Sequence, residues 1–311
     1  MMRARLVFAL AAGLFLTGLA HDAWDDWIDR TDLPSLVLET SVEVTDRDGV
    51  LLRAYTVADG RWRMAVGPGG VDPNYRDMLI AYEDKRYWDH SGVDLRAMTR
   101  AVAQALRNGR VISGGSTLTM QVARLLEDSG TGKFGGKARQ MRVAWALERR
   151  LSKDQILQLY MHLAPFGGNL EGVRAASFAY FGKEPKRLTP AEAALLVAIP
   201  QAPESRRPDR AHARAVAARE RVLARALRDG IVPENMADGA LREPVAHLRR
   251  PFPALAPHLA DRARAEDPAS NHLHLTLSAN LQRAVEDLAR DVIAGQGERA
   301  QIAIVVADHR S

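Results

Sequence analysis

The sequence predicts a mainly α-helical protein, with a small β hairpin ahead of the helices and the opening of an α/β unit behind them. Three observations carry this. Apolar residues recur every three or four positions from Pro73 to about Ala237, two helix-start boxes stand in that stretch, and strand-like runs are confined to its flanks. A chain of 311 residues holds one large core or two modest ones, and 47% hydrophobic with 26% charged residues is ordinary for a globular protein.

The chain opens on Met1-Met2-Arg3-Ala4-Arg5 and an apolar run from Leu6 to Ala20, the pattern of an export signal. That run is short for a membrane span of roughly 20 residues. Gly18-Leu19-Ala20 suits cleavage, whereas Trp24 and Trp27 suit an interfacial anchor, and Asp22, Asp25, Asp26 and Asp29 intrude. Residues 1–22 are therefore a signal peptide or a signal anchor, with the bulk of the chain outside the cytoplasm. Residues 23–60 form a linker and hairpin: Val42-Glu43-Val44 and Val50-Leu51-Leu52 flank Asp46-Arg47-Asp48-Gly49. The Asp46-x-Asp48 pair has the look of a metal motif, but at a hairpin tip turn chemistry is the stronger reading.

Residues 61–235 are the helical domain. Leu95, Met98, Val102 and Leu106 mark one helix, closed by Asn108-Gly109, and another opens at Ser116 after Gly114-Gly115. Ser152-x-x-Gln155 and Thr189-Pro190-x-Glu192 are capping boxes, and an Arg-studded helix runs from about Asp209 to Asp229. The glycine-rich stretch from Glu127 to Lys137 lacks the spacing of a phosphate-binding P-loop. A proline-rich linker over 236–270 precedes a last segment, 271–311, with a strand at His274–Leu277, a helix around Leu281–Ile293, a strand at Ala303–Ala307, and Ser278 as a helix cap.

Against 38 acidic residues stand 43 Lys and Arg, a net charge of +5 that suits an anionic partner but is too mild to choose among nucleic acid, acidic lipid and pyrophosphate. The absence of cysteine excludes disulfides, zinc–thiolate sites and thiol nucleophiles.

Two clusters carry chemistry. Glu83-Asp84-Lys85-Arg86-Tyr87-Trp88-Asp89-His90-Ser91-Gly92-Val93-Asp94 falls where a helix ends, and Lys85 and Arg86 are expected to keep Glu83 ionised, as a general base requires. Gly114-Gly115-Ser116-Thr117-Leu118-Thr119-Met120-Gln121 brings glycines, hydroxyls and a helix N-terminus together, an arrangement that attracts an anion, with Arg124 one turn further on. Taken alone, each has a plainer reading, a solvated helix end and a capped helix.

Both clusters resemble signatures of the family-51 glycosyltransferases, the peptidoglycan-polymerising half of class A penicillin-binding proteins. The first fits Glu-Asp-x-x-aromatic-x-x-His-x-Gly-x-Asp and the second Gly-Gly-Ser-Thr-Leu-Thr-x-Gln. The likeness continues through Leu151–Met161, Glu171–Lys183 and Leu188–Leu196, over roughly residues 40 to 230. Ala164-Pro165-Phe166-Gly167-Gly168 and Pro200-Gln201-Ala202-Pro203 resemble the 1C branch.

This resemblance implies a lysozyme-like helical fold, lipid II and the growing glycan strand as substrates, and a place on the periplasmic face of the bacterial inner membrane. It also implies contact with other cell-wall synthesis proteins and none with nucleic acid. Glu83 takes the general-base position with Asp84 beside it. His90, Ser116, Thr117, Gln121, Arg124, Lys137 and Lys183 fall in substrate-binding positions. A second catalytic Glu is expected where Gln140 stands. An amide brings no negative charge to a cation, so use of Mg or Mn, with Glu83 and Gln140 as candidate ligands, is put in question. Met120 and His162 are lesser departures. The last segment resembles the start of a transpeptidase domain without Ser-x-x-Lys or Lys-Thr-Gly, so no acyl-enzyme chemistry is expected of this chain.

A polyprenyl tail needs an apolar surface, expected around Phe134 and Trp145 beside Lys137, Arg139 and Arg142. Two rivals stay open: a glycan-cleaving enzyme with Glu83 as a protonated acid, against which the basic surroundings argue, and a weakly active module that grips lipid II.

Overall fold

The computed structural model describes residues 2–109, 115–127, 134–296 and 300–307. Helix α1 (Met2–Asp29) runs unbroken through the four aspartates. Its C-terminal turns are fastened by arginines of the later helix α5: Arg149 bonds Asp25 and Asp29, while Arg142 and Arg150 donate to the carbonyls of Trp27 and Asp29. Cations on the last carbonyls of a helix satisfy orphan acceptors and oppose its dipole. Among the described residues no helix is long and apolar enough to cross a membrane.

Strands β1 (Glu43–Thr45) and β2 (Leu51–Ala54) pair antiparallel around the expected Asp-Gly turn, with Gly49 at a φ of 80°. Asp46 is a turn residue: its Oδ1 accepts the Asp48 and Val50 amides at 2.8 Å. Strand β3 (Trp62–Arg63) follows, then α2 (Pro73–Glu83), α3 (Leu95–Asn108), α4 (Leu118–Leu126), α5 (Phe134–Arg150) and α6 (Lys153–Leu163). The two-residue β4 (Leu170–Glu171) pairs parallel with β3 and leads into α7 (Val173–Phe181), α8 (Pro190–Ala198), α9 (His212–Arg228) and α10 (Glu234–Arg242). The mainly helical class is thus observed. Both capping boxes form, at Ser152 and at Thr189, and Gly109 closes α3 in the left-handed conformation. Helix α4 starts at Leu118 with Thr117 as its cap, two residues after Ser116.

Helix α8 is the axis of the molecule. Every residue from Ala193 to Ala198 is buried, as its unbroken apolar sequence requires, and α2, α7, α9 and α10 pack around it. Helices α4, α5 and α6 complete the core with Leu118, Val122, Val143, Leu147, Ile156 and Tyr160. Helix α3 is the opposite case. It is strongly two-faced, yet none of its residues is buried, and Leu95, Val102 and Leu106 lie exposed.

Helix α11 (Pro257–Glu266), strand β5 (His272–His274) and helix α12 (Ala279–Ile293) come last. Strand β5 joins the hairpin by pairing parallel with β1, and Val44, Leu52, Leu255 and Leu273 form a second, small core. The expected cap Ser278 stands at the N-cap of α12 without a capping bond; Asp46 Oδ2 accepts the Ala279 amide at 2.8 Å instead. Burial raises Asp46's proton affinity less than these three amides lower it, so its carboxyl lies below its usual range. Residues 303–307, read as a strand, form no ladder.

Candidate functional site

Glu83 is the last residue of α2, and the chain leaves the helix at Asp84. The departure turns the two carboxylates in different directions. Asp84 is buried and fastened: His90 Nε2 stands 3.1 Å from both of its oxygens, and the Leu118 amide donates to Oδ2 at 2.9 Å. Asp84 therefore ties the end of α2 to the start of α4.

Glu83 faces a cleft of about 650 Å³ whose walls include Lys85, Arg100, Ser116, Gln121, Gln201 and Arg225. Gln121 Nε2 donates to one carboxylate oxygen at 3.0 Å and Gln201 Nε2 to the other at 2.7 Å. Burial pushes the Glu83 pKa above the usual carboxylate range, and the two amides, Arg206 and Arg225 oppose that rise without cancelling it. The sequence neighbours expected to hold it ionised do not. Lys85 pairs with Asp229 at 3.0 Å and Arg86 with Asp94 at 3.0 Å, the residue that caps α3. The argument from basic surroundings against a protonated Glu83 falls with them.

The expected anion site is also differently built. The Leu118 amide is taken by Asp84 and the Met120 amide by Thr117 Oγ1, so the first turn of α4 already serves an internal carboxylate and its own cap. Thr117 donates its hydroxyl to the Gly92 carbonyl. Two glycines let these pieces close: a Cβ on Gly92, whose φ is 90°, would lie 2.7 Å from the Ala144 carbonyl oxygen, and one on Gly115 3.1 Å from Met98 Cα. Gly114 lies outside the described residues, as does the stretch 128–133 of the glycine-rich segment.

What remains for an anion is a side-chain cluster. Ser116 lines the cleft and accepts a hydrogen bond from Lys137 Nζ of α5. Desolvation and the nearby positive charge of Arg124 lower the Lys137 pKa. Arg124 pairs with no carboxylate among the described residues, so the two cations face each other in want of a counter-ion. Gln140 lies on α5 one turn beyond Lys137, buried and without a hydrogen bond among the described residues.

Three of the expected substrate contacts are engaged in internal bonds. His90 is buried behind Asp84, and the hydroxyl of Thr117 is occupied by the cap. Lys183 pairs with Glu192 at 2.7 Å in the first turn of α8, whereas Gln201 lies beyond the opposite end of that helix. Sequence reasoning in turn passed over Gln201, Arg206, Arg225 and Arg100. The expected apolar patch is corrected too. Trp145 packs edge-on against Trp24 with centroids 4.7 Å apart, and Arg142 lies over the Trp27 ring, so α1 covers that surface. The side chain of Phe134 lies outside the described residues.

A resident cation does not fit the residues present. Gln140 brings no charge, and among the described residues no group of three or more His, Asp or Glu is placed to hold a metal. No chemical step is therefore routed through one.

A profile of the transglycosylase family matches residues 48–227, and the chain belongs to that family. Among its relatives, penicillin-binding protein 1C of Escherichia coli is 44% identical over 96% of this chain and 38% of that protein. Penicillin-binding protein 1A of Pseudomonas aeruginosa is 32% identical over 75% of this chain and 28% of its own length. A crystal structure of penicillin-binding protein 1A from Haemophilus influenzae aligns at 19% identity and a TM-score of 0.40, over 88% of this chain and 34% of that one. The chain spans well under half the length of the relatives it matches.

Proposed function

We propose that this domain is a peptidoglycan glycosyltransferase that polymerises lipid II by inverting transfer. The 4-hydroxyl oxygen of one lipid II sugar attacks the anomeric carbon of the growing strand, its proton passes to Glu83, and the bond to undecaprenyl pyrophosphate breaks. Three demands follow from that chemistry: a fixed base, cations for the departing diphosphate, and an apolar surface for the polyprenyl chain. Glu83 meets the first. Lys137, Arg124 and Ser116 meet the second, and an arriving diphosphate relieves the repulsion between the two cations. The observation that carries the reading is that Glu83, doubly hydrogen-bonded, opens onto the same cleft as Ser116, the residue Lys137 grips.

The third demand points to α3. Its exposed Leu95, Val102 and Leu106, with Leu10, Leu14, Phe15 and Leu16 of α1, are the apolar surface that a lipid bilayer would cover. These exposed residues support a reading in which the domain works at the periplasmic face of the inner membrane. Leu106→Asp is expected to slow polymerisation of lipid II carried in vesicles and to leave the rate on detergent-dispersed lipid II within twofold. Equal effects on both would argue against a bilayer-facing α3.

The raised pKa of Glu83 would also serve a protonated acid, so its environment does not separate transfer from glycan cleavage; family membership favours transfer. Purified protein given lipid II is expected to yield glycan strands and undecaprenyl pyrophosphate, and given finished strands to leave them intact. Cleavage of strands without polymerisation of lipid II would overturn the reading.

A further inference from the structure

The base position is held from a part of the chain that supplies neither of the two signature clusters. Gln201 ends the short turn that follows α8, and its amide nitrogen donates to Glu83 Oε1 at 2.7 Å. Its amide oxygen accepts from Arg206 at 2.8 Å, and the same Arg206 nitrogen bonds the Ala198 carbonyl at 2.7 Å. A guanidinium has only donors, so Arg206 decides which end of the amide faces the carboxylate. With the oxygen turned to Arg206, the NH2 group must point at Glu83.

We infer that Gln201, oriented by Arg206, is a positioning residue for Glu83: it fixes the carboxylate in the plane and direction in which it takes the acceptor's proton. The inference rests on the reading of Glu83 as general base. Gln121 approaches the other oxygen, but its amide oxygen has no partner among the described residues, so only the Gln201 side of the clamp is locked at both ends. One donor per oxygen leaves each oxygen a free lone pair, and an in-plane approach for an incoming hydroxyl. The clamp also works against desolvation. Glu83 is faced by Gln121 of α4, Tyr75 of α2, Tyr160 of α6, Arg225 of α9 and Arg206. Asp84, Lys85, Arg86, Asp94 and Arg100 stand around the cleft. The acids and phenols among these favour a neutral Glu83; Gln201 and Arg206 favour the ionised form, because each stabilises only the charged carboxylate.

Gln201 is exposed on its outer side, so substitutions there are expected to leave the fold intact. The test is a 13C-carboxyl titration of the full chain, with the Glu83 signal identified by its loss in Glu83→Gln. In Gln201→Leu the midpoint is expected to rise by about one unit, roughly the worth of one hydrogen bond to a charged group, and in Gln201→Glu by more. On lipid II, Gln201→Leu is expected to lower kcat about tenfold with KM changed less than twofold, and the acid limb of the kcat profile to move to higher pH by the same shift. Arg206→Met is expected to lower kcat less in the Gln201→Leu background than in the parent, because its orienting role is already gone. An unchanged midpoint in both Gln201 variants, or equal effects of Arg206→Met in both backgrounds, would overturn the inference. Failure of the parent to polymerise lipid II would count against the proposed function instead, and the titration would still decide the clamp.

Discussion

The two walls of the site, that of Glu83 in the cleft and that of the cation cluster meeting the cleft through Ser116, are built on opposite plans. On one, Glu83 has a donor on each oxygen, and its neighbour Asp84 is fastened to His90 and to α4. On the other, among the described residues, Lys137 hydrogen-bonds Ser116 alone, Arg124 has no acidic partner and Gln140 has no hydrogen bond. The difference follows from what each wall must do. A base must be aimed before substrate arrives, because a misdirected carboxylate loses the proton transfer. Cations that grip a departing diphosphate act best when their charge is left unsatisfied until the anion forms.

That contrast is open to attack, beginning with the aimed wall. Glu83→Gln removes the base and is expected to cut kcat on lipid II by roughly 10²- to 10⁴-fold. Because burial raises the Glu83 pKa, the acid limb of kcat/KM is expected above the usual 4.5 of a glutamate, activity falling as pH drops through it. A limb at or below that value would mean the carboxylate is not desolvated in solution. On the waiting wall, Lys137→Ala is expected to lower kcat/KM about 10- to 100-fold while leaving thermal stability unchanged, since the lysine makes one hydrogen bond among the described residues. A large loss of melting temperature would show that Lys137 is structural.

A smaller effect is expected at Gln140. Gln140→Glu restores a carboxylate beside Lys137, and polymerisation should become several-fold more responsive to added Mg or Mn than in the parent. An identical response in the two would remove position 140 from any dealings with a cation.

The smallest effect concerns stability. His162 stands between Val66, whose amide donates to Nε2 at 2.9 Å, and the Gln158 carbonyl, 2.9 Å from Nδ1, so it is a neutral ring with both nitrogens in use. Burial lowers its pKa from 6.5. A histidine held neutral contributes stability above its unfolded pKa that is lost as pH falls through the window below 6.5. Melting temperature measured from pH 7.5 down to 5 should fall by less in His162→Gln than in the parent; parallel slopes would contradict this.

The same contrast marks what the sequence discloses. Glu83 and Ser116 lie in local patterns, at a helix end and a helix start, and the hairpin, both capping boxes and the Gly109 stop are equally local, which is why each was readable. Gln201 lies 118 residues from Glu83, and although Pro200-Gln201-Ala202-Pro203 resembles a family stretch, nothing local there points to a carboxylate. Lys85 and Arg86 misled for a related reason. The chain leaves the helix at Asp84, with φ of −154°, so residues adjacent in sequence fan out to Asp229 and Asp94. Periodicity likewise gave α3 an apolar stripe but not its direction, since a stripe facing a core and one facing a bilayer have the same spacing.

The most direct test of a fixed base facing waiting cations is a crystal structure of the domain with a short-chain lipid II analogue that cannot react. The account predicts the diphosphate against Lys137, Arg124 and Ser116, with an acceptor 4-hydroxyl about 3 Å from Glu83. A diphosphate seated away from Lys137, or a Glu83 turned from the sugar while still bound to Gln201, would contradict it.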